Sequence, residues 1–244
     1  MIRKSTFAAT LAKLFGTAAV AATLCASSAQ AGVVDFEAYP DTIVSDGIGL
    51  EMGKYYLETA GGGFGLVGNT AGSCTSDIAC PTNNATTYFA SLADGYTFLE
   101  MLDGSSFSLT SLDASFLGFN GLTYPSQVAG FLRVAAFDAA GQVGSYLDLA
   151  LSGPAGGVFN FATYDMTSLG GGSLFTTVRI LSYACVVGST SCNRNTNQAQ
   201  FALDNIVIAN ANDVPEPGSF ALMSLGLFGI GAIARRRKAA TAAI

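Results

Sequence analysis

The chain has 244 residues, is 50% hydrophobic and 11% charged, and contains 29 Gly but no His and no Trp. Low charge and high apolar content exclude a disordered chain, and the missing His excludes a His-dependent triad, His-ligated zinc or haem, and any imidazole base. The net charge of −6 conceals a division, because the interior holds only Lys54, Arg133, Arg179 and Arg194 against 17 acids, a net of −13 that repels nucleic acid and suits a soluble exported domain.

In chain order, Arg3 and Lys4 precede an apolar stretch from Phe7 to Cys25 and then Ala26-Ser27-Ser28-Ala29-Gln30-Ala31. A basic start, an apolar segment and a small-x-small end make residues 1–31 a signal peptide cleaved after Ala31, with Ala29 and Ala31 as the recognition pair. Cys25 leaves with it, and no convincing lipobox surrounds that residue.

Residues 32–210 read as one β domain. Alternating and β-branched or aromatic runs, broken by Gly, Pro, Asn and Ser, predict strands over Val33–Tyr39, Ile48–Thr59, Thr87–Leu92, Tyr96–Leu102 and Ser106–Phe119. Further strands are predicted over Gln127–Asp138, Val143–Leu151, Val158–Asp165, Leu174–Val187 and Gln200–Ala209. Asp138-Ala139-Ala140-Gly141 is a hairpin turn, and the apolar phase of Phe201, Leu203, Ile206 and Ile208 shifts at Asp204-Asn205. With no sustained helical period, the expectation is an all-β, antiparallel two-sheet sandwich of the jelly-roll kind.

Gly63-Phe64-Gly65-Leu66-Val67-Gly68 matches the G-x-G-x-x-G count, but Asn69-Thr70-Ala71-Gly72-Ser73 follows instead of a helix, so no dinucleotide site is expected and the segment reads as a flexible glycine loop. Cys74, Cys80, Cys185 and Cys192 are an even set in an exported domain, hence disulfides. Their spacing favours Cys74–Cys80 and Cys185–Cys192; the rival pairing joins the two loops. Tyr55, Tyr56, Tyr88, Tyr96, Tyr124 and Tyr146 are candidates for a sugar-stacking face. Glu51, Glu58, Glu100 and Asp103 are available for glycoside hydrolysis, which needs two carboxylates, but nothing in the sequence singles out a pair.

Residues 211–244 form the last segment. Val214-Pro215-Glu216-Pro217-Gly218 leads into an apolar run from Phe220 to Ala234 and then Arg235-Arg236-Arg237-Lys238. Fifteen residues span about 22 Å as a helix, short for a bilayer core unless flanking groups extend it, and the basic end stays cytoplasmic. This order of features resembles a PEP-CTERM sorting signal. The resemblance implies export from a Gram-negative bacterium, transient residence in the inner membrane, processing by exosortase, and a destination at the cell surface or in extracellular polysaccharide and biofilm. Within it, Val214, Pro215, Glu216 and Pro217 would be the sorting motif and Arg235, Arg236 and Arg237 the stop.

Three stretches of the body, Asp35-Phe36-Glu37, Phe107 to Asp113, and Phe201 to Ile206, are similar to domains that precede this signal. The first and last also resemble carbohydrate-binding jelly rolls, where an early Glu and a late Asp hold a structural calcium ion. Glu37 and Asp204 are therefore the candidate metal ligands, with Asp35 and Asn205 in reach, since calcium prefers carboxylate and carbonyl oxygens. The resulting expectation is a non-catalytic, exported β-sandwich that binds glycan or builds matrix. Its rivals are a secreted glycosidase or lyase and a surface domain that keeps its anchor.

Overall fold

A computed structural model describes residues 32–69, 77–194 and 196–210. They belong to one compact unit, residues 31–211. Among the described residues fourteen strands run in the order β1 (Gly32–Val34), β2 (Thr42–Ser45), β3 (Leu50–Met52), β4 (Tyr55–Ala60), β5 (Phe64–Gly68), β6 (Ile78–Ala79) and β7 (Tyr88–Leu92). They continue as β8 (Tyr96–Met101), β9 (Phe107–Phe119), β10 (Val128–Phe137), β11 (Val143–Ser152), β12 (Ala162–Asp165), β13 (Thr177–Ala184) and β14 (Gln200–Asn210).

All pairings between these strands are antiparallel and build two sheets. The first sheet has the order β12-β9-β14-β7-β5-β2, with β1 added to β14 and β6 to β9; the second has the order β11-β10-β13-β8-β4-β3. Alternation delivers one side of each strand to the space between them. Leu57, Leu99, Leu132, Val134, Val178 and Ile180 of the second sheet are fully buried there, with Val67, Phe89, Leu112, Phe116, Phe201 and Leu203 of the first. The sandwich expectation holds.

Three local readings are corrected. The run Ile48–Thr59 is a hairpin, β3 and β4, because Gly53 turns the chain at φ +63°. Gly63–Gly68 is not a flexible loop. Phe64–Gly68 is strand β5 between β2 and β7, and a Cβ on Gly65 would lie 2.3 Å from the Phe89 ring. Glycine is required there by the close approach of a core ring. The first strand ends at Val34, so Glu37 lies in the turn that follows it.

The phase change at Asp204-Asn205 is a β-bulge. The register of β14 with β9 slips between Asp204 and Val207, and Asn205 takes φ +46°. The slip returns Ile206 and Ile208 to the core after Phe201 and Leu203, all four fully buried.

Candidate functional site

The outer side of the second sheet gathers an unusual set of side chains. On β10 and β13 the residues directed away from the core include Phe131, Arg133, Phe137, Arg179 and Tyr183, each half-buried. On β11 they include Tyr146, 55% exposed, and Asp148. On β8 they are Tyr96, Phe98 and Glu100, and on β4 Tyr56 and Glu58. Strand register sets Tyr146, Ala135, Arg179, Phe98 and Glu58 in one transverse row across five strands.

This face holds Arg133 and Arg179, and Arg194 stacks at its margin, so three of the four basic residues of the interior converge on it. The Arg133 guanidinium lies 4.4 Å from the Tyr146 ring centre and 5.5 Å from that of Tyr183. It also donates from Nε and Nη2 to the two oxygens of Asp148, each at 2.7 Å. That hydrogen bond holds the Asp148 carboxyl below its ordinary range. Arg179 lies 5.1 Å from the Phe137 ring and 5.9 Å from the Tyr96 ring. Arg194 lies 5.2 Å from Tyr96 and donates from Nη2 to the Asp94 carbonyl at 2.9 Å.

Of the six tyrosine candidates, Tyr56, Tyr96 and Tyr146 are on this face. Tyr55, Tyr88 and Tyr124 are core residues, each no more than 6% exposed. Tyr183, Phe98, Phe137 and the arginines were not singled out by the sequence, because their grouping depends on which strands pair.

Glu51, Glu58 and Glu100 share the other end of the same face, while Asp103 caps the turn after β8 by accepting the Ser105 N–H at 2.9 Å. Glu58 accepts the Tyr56 hydroxyl at 2.9 Å and the Gly47 N–H at 2.8 Å, and Glu100 accepts the Thr177 hydroxyl at 3.0 Å. Burial first, and then the hydrogen bond it donates to Glu58, push the Tyr56 hydroxyl above its usual pKa.

The metal candidates lie on the opposite side of the molecule, where the segment from Cys80 to Thr87 folds over the outer face of the first sheet. Asn83 pins that segment by bonding both the N–H and the carbonyl of Phe161, at 2.7 and 3.0 Å. Asp204, 1% exposed, accepts from Asn84 Nδ2 at 2.7 Å, Thr86 Oγ1 at 3.1 Å and Asn205 N at 2.8 Å. Glu37 accepts the Thr87 N–H at 2.9 Å. The structure thus brings both candidates to one short segment. Asn205 donates to Asp113 at 2.9 Å. Among the described residues no group of three or more His, Cys, Asp or Glu side chains is placed to hold a metal. Burial pushes the Asp204 carboxyl above its ordinary pKa, the Asp113 charge adds to that, and the hydrogen bonds oppose it.

Cys185 and Cys192 form a disulfide across the loop after β13. Cys80 is disulfide-bonded as well, and its expected partner Cys74 lies outside the described residues. So do the signal peptide with Ala29 and Ala31, the sorting residues Val214, Pro215, Glu216 and Pro217, the apolar run from Phe220 to Ala234, and the basic stop of Arg235, Arg236 and Arg237.

Residues 213–238 match the PEP-CTERM protein-sorting motif. A PEP-CTERM motif implies export, a transient membrane anchor and processing by exosortase, as the end of the chain led us to expect. A comparison with curated proteins finds no match. Solved structures similar to the chain are β-sandwiches. A DUF4465 family protein from Bacteroides caccae is 15% identical, covers 74% of this chain and 99% of its own, and superposes with a TM-score of 0.48. The xylan-binding CBM22-1 domain of Paenibacillus barcinonensis Xyn10C is 13% identical, covering 76% and 97%, with a TM-score of 0.38. The C-terminal family 22 carbohydrate-binding module of Clostridium thermocellum Xyn10B is 12% identical, covering 76% and 95%, with a TM-score of 0.35. At these identities the likeness concerns the fold alone.

Proposed function

We propose that this exported sandwich is a non-catalytic glycan-binding protein of the cell surface or extracellular polysaccharide matrix, and that it binds through the outer face of the second sheet. The observation that carries the reading is the convergence of Tyr96, Phe98, Phe137, Tyr146 and Tyr183 with three arginines on one sheet face of an acidic body. Aromatic faces stack on sugar rings, and a few polar groups beside them set orientation. Glycan-array binding by the full chain purified from its host is the test. Binding that is lost on Tyr96→Ala and Tyr183→Ala supports the reading; an array with no binding overturns it.

The same proposal includes a structural calcium ion at Glu37 and Asp204. Their neighbourhood supplies hard oxygens, including the Thr86 hydroxyl, around a buried carboxylate that no basic side chain among the described residues meets within hydrogen-bond reach. The ion would offset the cost of burying that charge. A melting temperature that rises with added calcium and falls on chelation supports it, and a melting curve indifferent to both overturns it.

A second reading, a polysaccharide-degrading enzyme, is favoured by Glu51, Glu58 and Glu100 sharing the face. It requires that Glu58→Gln or Glu100→Gln abolish turnover of a polysaccharide that the variant still binds.

A further inference from the structure

We propose that the glycan bound by this face carries carboxylates, as uronic acid sugars do, and that Arg179 receives them. The inference rests on the glycan-binding reading above and deepens it.

The three arginines of the face differ in what they already hold. Arg133 is committed, its fork closed on Asp148 and its plane between two tyrosine rings. Arg194 shares with Arg179 a buried Nε without an acceptor, but its Nη2 is tied to the Asp94 carbonyl. Arg179 has neither an ion pair nor a hydrogen bond among the described residues, and its buried Nε is without an acceptor. An unpaired buried donor on a charged group is costly, and a body rich in acids had ample means to pair it. The nearby carboxylates are otherwise engaged: Glu58 by Tyr56 and Gly47, Glu100 by Thr177.

Arg179 is also well placed. It sits at the middle of the transverse row, on the third of six strands, with Phe98 directly across on β8 and Ala135 on β10. Ala135 is only 3% exposed, so the floor beneath the guanidinium is closed. Phe137 and Tyr96 flank it and restrain its plane. A guanidinium presents paired N–H donors that match a carboxylate with two parallel hydrogen bonds. The flanking rings offer the stacking surface for the sugar that bears it. An acidic polymer is repelled by the net charge of the body as a whole, so its recognition has to be local, and of the arginines on this face Arg179 is the one that meets no carboxylate among the described residues.

The test uses the full chain and three probes of graded chemistry: polygalacturonate, its fully methyl-esterified form, and dextran sulfate. The free acid is expected to bind roughly tenfold more tightly than the ester, the loss of one charge-assisted bidentate contact. Arg179→Gln should remove that preference, with an unchanged melting temperature reporting that the variant is folded, and Arg179→Lys should restore only part of it. Equal binding of acid and ester by the wild type overturns the inference without using any variant. Tighter binding of dextran sulfate than of polygalacturonate overturns the assignment to carboxylates. Binding of the ester alone sinks this inference and leaves the glycan-binding reading standing, whereas binding of no glycan sinks both.

Discussion

Asp113 and Asp204 stand directly opposite one another on β9 and β14, two carboxylates on the outer side of one sheet, bridged from Asn205 and covered by the Asn84–Thr86 segment. Cross-strand like charges oppose folding. The pair persists because five donors reach it: Asn84, Thr86 and the Asn205 N–H on Asp204, and Thr163 and the Asn205 side chain on Asp113.

This arrangement sets a pH dependence. Burial raises the folded-state pKa of Asp204 above the ordinary aspartate value of 3.8. The native state therefore holds the proton more tightly than the unfolded chain. The contribution of this group to stability is fully present below about pH 3.8 and is lost as pH rises through its folded pKa. Asp113→Asn removes the like charge and should lower the Asp204 midpoint, as read by carboxyl NMR. An unchanged midpoint would show that the Asp113 charge contributes nothing.

Truncating Asp204 has a different consequence. Asp204→Ala removes the acceptor shared by the Asn84 amide, the Thr86 hydroxyl and the Asn205 N–H. The expected loss is about 1–3 kcal/mol in denaturant unfolding, the net worth of hydrogen bonds to a carboxylate whose donors can turn to water.

Two glycines separate packing from backbone freedom. A Cβ on Gly130 would lie 2.3 Å from the Tyr183 carbonyl oxygen and 2.6 Å from the Phe116 ring. Gly130→Ala should cost about 1–3 kcal/mol, because a backbone atom cannot turn aside as a side chain can. On the edge strand β11, a Cβ on Gly144 meets only the Ala136 carbonyl at 3.8 Å. Gly144→Ala should be neutral or stabilising by up to about 1 kcal/mol. Urea midpoints of the two variants in parallel make the comparison.

Tyr146 tests the face without testing the core. It is 55% exposed at the sheet edge, and its ring contact is with Arg133. Tyr146→Ala should move unfolding by no more than about 0.5 kcal/mol while weakening glycan binding severalfold. A large loss of stability would instead make the residue structural.

The Cys185–Cys192 bridge closes a loop that Ala184 and Asn193 also clamp, each donating its N–H to the other's carbonyl at 2.8 Å. Replacing both cysteines by Ser should cost about 2 kcal/mol or less, since short loops gain least from crosslinking. Melting of the oxidised and variant proteins under identical buffer checks this.

What the sequence determined by itself is what local patterning encodes. The sorting signal at residues 213–238 is a contiguous order of motif, apolar run and basic end, so no fold is needed to see it. Most of the longer strands and the β14 bulge were legible for the same reason, because alternation with period two, and its break at Asp204-Asn205, are written in consecutive residues. β5 escaped notice because its glycines look like loop until Phe89 is packed against Gly65. The face of arginines and aromatic rings was decided only by tertiary structure. Arg133, Arg179, Tyr146, Tyr183, Tyr96 and Phe137 come from four strands, joined by pairings between residues far apart in the chain, such as Tyr96 to Met101 with Thr177 to Ala184. No single stretch of sequence records that register. Burial of the opposite side of each strand in the shared core aligns them, and that alignment places three of the four interior cations beside the same aromatic rings.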